Sequence, residues 1–136
     1  MEIKVAGADA YRAGACNIGP DEIRRRERSG HVGTVTTVGL AAALIAARAP
    51  GWLRMLTAVP ATVGAAGYIQ ARLRFCAGYG HLGVFNFGPA GQYQAVTDAD
   101  AAAADRRRAR QISLASGAIG LLVAALVATL PVRERG

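Results

Sequence analysis

Three things are scarce in this chain of 136 residues: aromatic side chains at 6%, cysteines at two, and acidic residues at nine against 16 basic ones. So few aromatic rings, in a chain rich in Ala, Val, Leu and Gly, would fill a soluble core of this size poorly. The two cysteines and two histidines form neither a C-x-x-C nor an H-x-x-x-H pair, so no zinc module is written into the spacing. There is no Walker loop, no dinucleotide fingerprint after a strand, no nucleophile elbow and no H-E-x-x-H. Nor does any long apolar run contain Asp, Glu, Lys or Arg. That argues against a proton relay or an ion pump, which needs an intramembrane carboxylate to carry charge.

What the chain does have is apolar length. Its composition is 52% hydrophobic, and its mean hydropathy is +0.24, above the usual range for soluble domains. The net charge of +7 sits in clusters flanking the apolar runs. Such clusters mark membrane borders, so they are read as topology and not as a nucleic-acid surface. Three runs stand out: "VGTVTTVGLAAALIAA" (Val32 to Ala47), "MLTAVPATVGAAGYI" (Met55 to Ile69) and "ISLASGAIGLLVAALVATL" (Ile112 to Leu130). Extended to their borders, they predict spans at about 31–49, 52–71 and 111–131. Pro60 is expected to kink the second, and Trp52 and Tyr68 to anchor its ends. The first run begins too late for a signal peptide, and no small-residue cleavage pattern precedes it.

Lys and Arg number six before the first run, two in the first connection, six in the second and two in the tail. This excess predicts a multi-pass protein of the plasma (inner) membrane with its N-terminus cytoplasmic and its C-terminus exoplasmic. Arg24, Arg25, Arg26, Arg72, Arg74, Arg106, Arg107 and Arg108, with Trp52, are the border residues, facing anionic headgroups of the bilayer. The first two spans would then form a hairpin around "APGW", and the third would cross alone. "GPDEIRRRER" reads as a helix start, with Pro20 in the first turn beside Asp21 and Glu22. "TDADAAAADRRRARQ" has Thr97 or Asp98 as N-cap and no breaker before Ile112, so one helix is expected from about Asp98 to Leu130. Small residues recur at packing intervals: Gly33 with Thr37, Gly39 with Ala43, Gly64 with Gly67, Ser113 with Gly117.

On this topology Cys16, His31, Cys76 and His81 all come to the cytoplasmic mouth of the hairpin. They form a candidate zinc ligand set, or Cys16 and Cys76 a redox pair, or two small packed residues. Arg72, Arg74 and His81 are the cationic neighbours a reactive Cys76 would use. The glycines of "CAGYGHLGVFNFG", with Tyr79, Phe85 and Phe87, predict a compact cap folded back near "CNIG" at residues 16–19.

The order "CNIGPDEIRRRERSGHVG", apolar hairpin, "RFCAGYGHLGVFN" resembles the small inner-membrane hairpin domain of YgaP-like bacterial proteins over residues 16–86. Asn17, Gly19, Phe75, Cys76, Gly83 and Asn86 are the matching positions. The chain departs from that pattern at Ala77, where the family tends to have Pro, and in its third span. Some members resemble this hairpin fused to a rhodanese domain, which 136 residues leave no room for, so the resemblance offers sulfur chemistry as an association only.

The expectation is therefore an all-α membrane protein with three transmembrane helices. An N-terminal segment (1–19) precedes an interfacial helix, hairpin and cap (20–88), then a cytoplasmic helix running into the third span (89–136). No cofactor and no nucleic acid is expected. The functional reading is an accessory protein packing against a larger membrane complex or itself, more a binding protein than an enzyme. The alternative is a cytoplasm-facing thiol or sulfur carrier.

Overall fold

The structure, a computed structural model, describes residues 10–131. Lys4, Arg133 and Arg135 of the charge count lie outside the described residues. The fold is mostly helical: α1 (Pro20–Ala46), α2 (Gly51–Arg54), a 3₁₀ turn (Met55–Thr57), α3 (Ala58–Leu73), α4 (Ala77–Leu82) and α5 (Ala99–Thr129). A two-residue antiparallel pair, β1 (Val84–Phe85) with β2 (Gln94–Ala95), departs from a purely helical fold.

Helix boundaries follow the local chemistry. Pro20 opens α1, where its missing N–H is no loss. The Asp98 carboxylate caps α5, accepting from the backbone N–H groups of Asp100 and Ala101. α1 and α5 are each long and apolar enough to cross a membrane, with apolar windows of mean hydropathy 1.4 and 2.1. Only 11% and 28% of those windows is buried, whereas a soluble core helix would be mostly covered.

Two helices meet that standard, and the expected third span at 52–71 does not. Its continuous α-helix, α3, has 16 residues, about 24 Å against the ~30 Å of hydrocarbon. Pro60 explains the shortfall. It is the third residue of α3, and the turn before it, Met55–Thr57, is 3₁₀: a residue with no N–H cannot continue the α-helical ladder, so the helical stretch from Gly51 to Leu73 is interrupted there.

α3 packs between α1 and α5 and runs antiparallel to both, so α5 does not stand alone. The seams are built from absent side chains. A Cβ on Gly33 would lie 2.4 Å from the Gly64 backbone nitrogen, and one on Gly67 2.4 Å from that of Gly30. On the other side, a Cβ on Gly120 would lie 2.9 Å from the Ala58 carbonyl oxygen. The buried stripe of α5 runs Asp105, Ala109, Ile112, Ser116, Gly120, Ala124, Val127, mostly small residues at one-turn spacing. Of the pairs expected from spacing, Gly33, Gly64 and Gly67 lie at a seam, whereas Gly39 and Gly117 have nothing within 4 Å.

Arg54 closes the end opposite the cap. Its guanidinium is buried and donates to the carbonyls of Ala49, Val127 and Leu130, at 3.1, 2.8 and 2.9 Å. One of the two basic residues counted in the first connection, Arg54 satisfies carbonyls at the end of α5 that no further helical turn can reach.

Candidate functional site

The cap is assembled where the chain leaves α3. Arg74 ends that helix in the left-handed region (φ 54°), Phe75 is fully buried against Ala109 and Ile112, and Cys76 opens α4. Asn17 clamps Cys76 from the N-terminal segment: its Oδ1 accepts from the Cys76 N–H at 2.6 Å, and its Nδ2 donates to the Cys76 carbonyl at 3.1 Å. The backbone of Asn17 continues the clamp. Its N–H donates to the Arg74 carbonyl, and its carbonyl accepts from Asn86 N–H at 2.9 Å. Gly19 N–H donates to the Asn86 carbonyl in turn, and a Cβ on Gly19 would meet the Phe87 backbone at 2.9 Å.

A charged pair lies under this clamp. Glu22 is fully buried, with its carboxylate 3.1 Å from the Arg26 guanidinium and accepting from Gly91 N–H at 2.8 Å. Arg26 also donates to Cys76 Sγ at 2.8 Å and lies 5.6 Å from the centre of the Tyr79 ring. Burial pushes the Tyr79 phenol above its ordinary range, and the Glu22 carboxylate adds to the shift. A second latch joins the N-terminal segment to α5. Tyr11 donates to Asp105 Oδ2 at 2.5 Å, and Gly14 N–H donates to Asp105 Oδ1 at 2.7 Å. Burial, then the bond to Asp105, raises Tyr11.

The four proposed metal ligands are not brought together. Among the described residues no group of three or more His, Cys, Asp or Glu is placed to hold a metal ion. The cause is the continuity of α1: eleven helical residues carry His31 about 16 Å along the axis from Pro20. There its Nδ1 pairs with the Tyr68 hydroxyl at 2.7 Å. His81 is exposed on α4, and both cysteines are free. Cys76 is 4% exposed. Cys16 is half-buried in the wall of an open cleft of about 890 Å³ that Arg72 and Arg74 also line.

The cation on Cys76 is thus Arg26, not the Arg72, Arg74 or His81 suggested by nearness in sequence. Arg24 and Arg25 are exposed and pair with Asp21 and Glu22. Arg106 and Arg107 are exposed on α5, Arg108 donates to Gln111, and Trp52 is exposed at the far end. Sequence reasoning missed Glu22 and Arg26 as a site, although their i, i+4 spacing is a pairing signal. Tyr11 and Asp105, 94 residues apart, leave no such signal.

No protein-family model, no curated protein and no solved structure matches the chain.

Proposed function

We propose that this is a small integral membrane protein that acts by packing its spans against another membrane-spanning chain, either a larger complex or a second copy of itself. The observation that carries the reading is the apolar outer surface of the three-helix layer. Val35 and Val38 on α1, Val59 and Val63 on α3, and Leu114, Leu122 and Leu126 on α5 all face outward. Water would leave that surface uncompensated, and lipid or another helix covers it. A groove of about 330 Å³, floored by Ala61, Gly64 and Ala65 and walled by Thr37, Val38 and Ile119, has the small-residue floor on which a further helix approaches closely.

On this reading Gly51–Leu73 completes a third crossing as a broken helix, since α2, the 3₁₀ turn and α3 follow one another without a gap. Their combined rise is about 36 Å. The cap end is cytoplasmic and the Arg54 end exoplasmic, following the arginine distribution. Asn17, Gly19, Phe75, Cys76 and Asn86 meet in one junction, and Gly83 ends α4 beside it at φ 69°. We keep kinship with the YgaP-like hairpin as part of this proposal, because these are the positions that the sequence resemblance names.

The test is topological. Carbonate extraction should leave the protein in the membrane pellet. A reporter inserted near Ala90 should be active in the cytoplasm, and one following Pro131 outside. Release by carbonate sinks the membrane reading, and the reverse reporter pattern sinks the orientation. Cross-linking within the bilayer, from a photoreactive residue at Gly39 or Gly117, should capture a protein. Capture of lipid alone sinks the packing role.

A second reading, a thiol or sulfur carrier using Cys76 and Cys16, is favoured by the Arg26 guanidinium 2.8 Å from Cys76 Sγ. It requires the cap to open, because Cys76 is buried. Loss of activity in both single cysteine variants, at unchanged expression, would select it.

A further inference from the structure

We propose that the cleft between the N-terminal segment, the first two turns of α1 and the end of α3 binds the phosphate headgroup of one anionic phospholipid. The proposal rests on the membrane placement argued above. The cleft holds about 890 Å³, and its charged wall is Arg12, Arg24, Arg72 and Arg74 against one carboxylate, Glu27. Arg24 pairs with Asp21, but Arg12, Arg72 and Arg74 have no carboxylate partner among the described residues. Among the described residues the cleft thus carries more guanidinium than carboxylate charge, and a phosphate answers that surplus, because guanidinium forks match its oxygens. Arg74 supports this use. It ends α3 in the left-handed region, where glycine is the ordinary and unstrained choice, and it places a guanidinium on the cleft instead.

The floor distinguishes a lipid from a soluble phosphate. Ile18, Ile23, Leu73 and Phe87 line the cleft beside the arginines. A free phosphate has no use for apolar walls, whereas the glycerol and first acyl carbons of a phospholipid do. The level fits as well. Glu27 and Ala71 line the cleft one turn beyond the Gly30–Gly67 contact, where the apolar parts of α1 and α3 give way to charge. Basic pockets at this level are where anionic headgroups settle.

The experiment reconstitutes the full chain in nanodiscs made from equal phosphatidylcholine and phosphatidylglycerol, then releases it into native mass spectrometry. The wild type should retain phosphatidylglycerol over phosphatidylcholine. Replacing Arg72 and Arg74 together with Gln should cut that preference by about ten-fold or more. The charge-matched Arg106→Gln, Arg107→Gln double variant should keep it, because those side chains lie outside the cleft. Ala71→Phe, which fills the cleft without changing charge, should also lose the lipid. Equal loss in both double variants means diffuse attraction to the surface and overturns the site, as does retention by Ala71→Phe. In phosphatidylcholine nanodiscs with added inorganic phosphate, a stoichiometric phosphate adduct lost with Arg72 and Arg74 would overturn the lipid assignment in favour of a soluble anion. A chain that does not enter nanodiscs at all refutes the membrane placement, whereas one that enters without headgroup preference refutes only this site.

Discussion

The helix seams and the cap hold together by opposite means. Along the α1–α3 seam, Gly30, Gly33, Gly64 and Gly67 let two backbones touch, and the His31–Tyr68 hydrogen bond joins the same two helices beside Gly30. In the cap, Asn17, Glu22, Arg26 and Asn86 are tied by directed hydrogen bonds and one buried ion pair. In a bilayer the difference has a physical basis. Lipid is as apolar as a side chain, so helices gain little by hiding apolar surface and associate through close contact. At the border the chain must turn without regular structure, and each backbone group removed from water has to find a partner.

The comparison breaks most visibly at the glycines. Gly33→Leu puts a side chain where the Gly64 backbone already sits, and neither helix can yield without opening the seam. We expect a loss of about 4 kcal/mol or more, read as collapse of the thermal transition in detergent. Gly39→Leu, six residues further along the same helix, meets open space and should change stability by no more than about 0.5 kcal/mol. Equal effects at the two positions would mean that the seam lies elsewhere.

That contrast also marks what the sequence could say. Spacing named Gly33 and Gly39 alike, because a repeat gives the face a residue shares but not which stretch of that face meets a neighbour. The long helices were legible for local reasons: Pro20 and Asp98 announce their starts, and nothing breaks the chain between Asp98 and Leu130. The interruption near Pro60 was visible, because a residue with no N–H cannot continue the helical ladder, but that the turn before it would tighten to 3₁₀ was not. The partners of Arg54 and Arg26 were hidden. Arginines beside apolar runs have a ready explanation as border charges, and only the fold shows that these two are turned inward.

Arg26 gives the next largest effect. Arg26→Ala leaves the fully buried Glu22 carboxylate only the exposed Arg25 guanidinium at 3.8 Å, and Cys76 without its donor. Breaking a buried pair by removing one partner costs about 3 kcal/mol. Arg25→Ala, on the exposed side of the same carboxylate, should cost less than about 1 kcal/mol. Denaturation of the two variants side by side measures the difference, and comparable losses would show that Arg26 is only a border charge.

The smallest effects fall on the cysteines, and they test whether the cap is a closed structure. Cys16→Ala removes a half-buried thiol whose contact to the Ile18 carbonyl is 3.8 Å, and should cost less than about 1 kcal/mol. Cys76→Ala removes a buried sulfur that accepts from Arg26, and should cost about 1–2 kcal/mol. Each variant leaves a single thiol, so maleimide labelling reports one site at a time. Cys16, in the wall of the open cleft, should label at least about ten-fold faster than Cys76, which can react only when the cap opens. Adding Asn17→Ala to the Cys16→Ala protein removes both bonds that clamp Cys76 and should speed its labelling towards the rate of Cys16. If Cys76 labels rapidly with the clamp intact, the cap opens freely in solution, and the carrier reading gains over the packing one. If the clamp variant labels no faster, Asn17 does not hold the cap shut, and the contrast between a polar cap and a seam of glycines loses its strongest member.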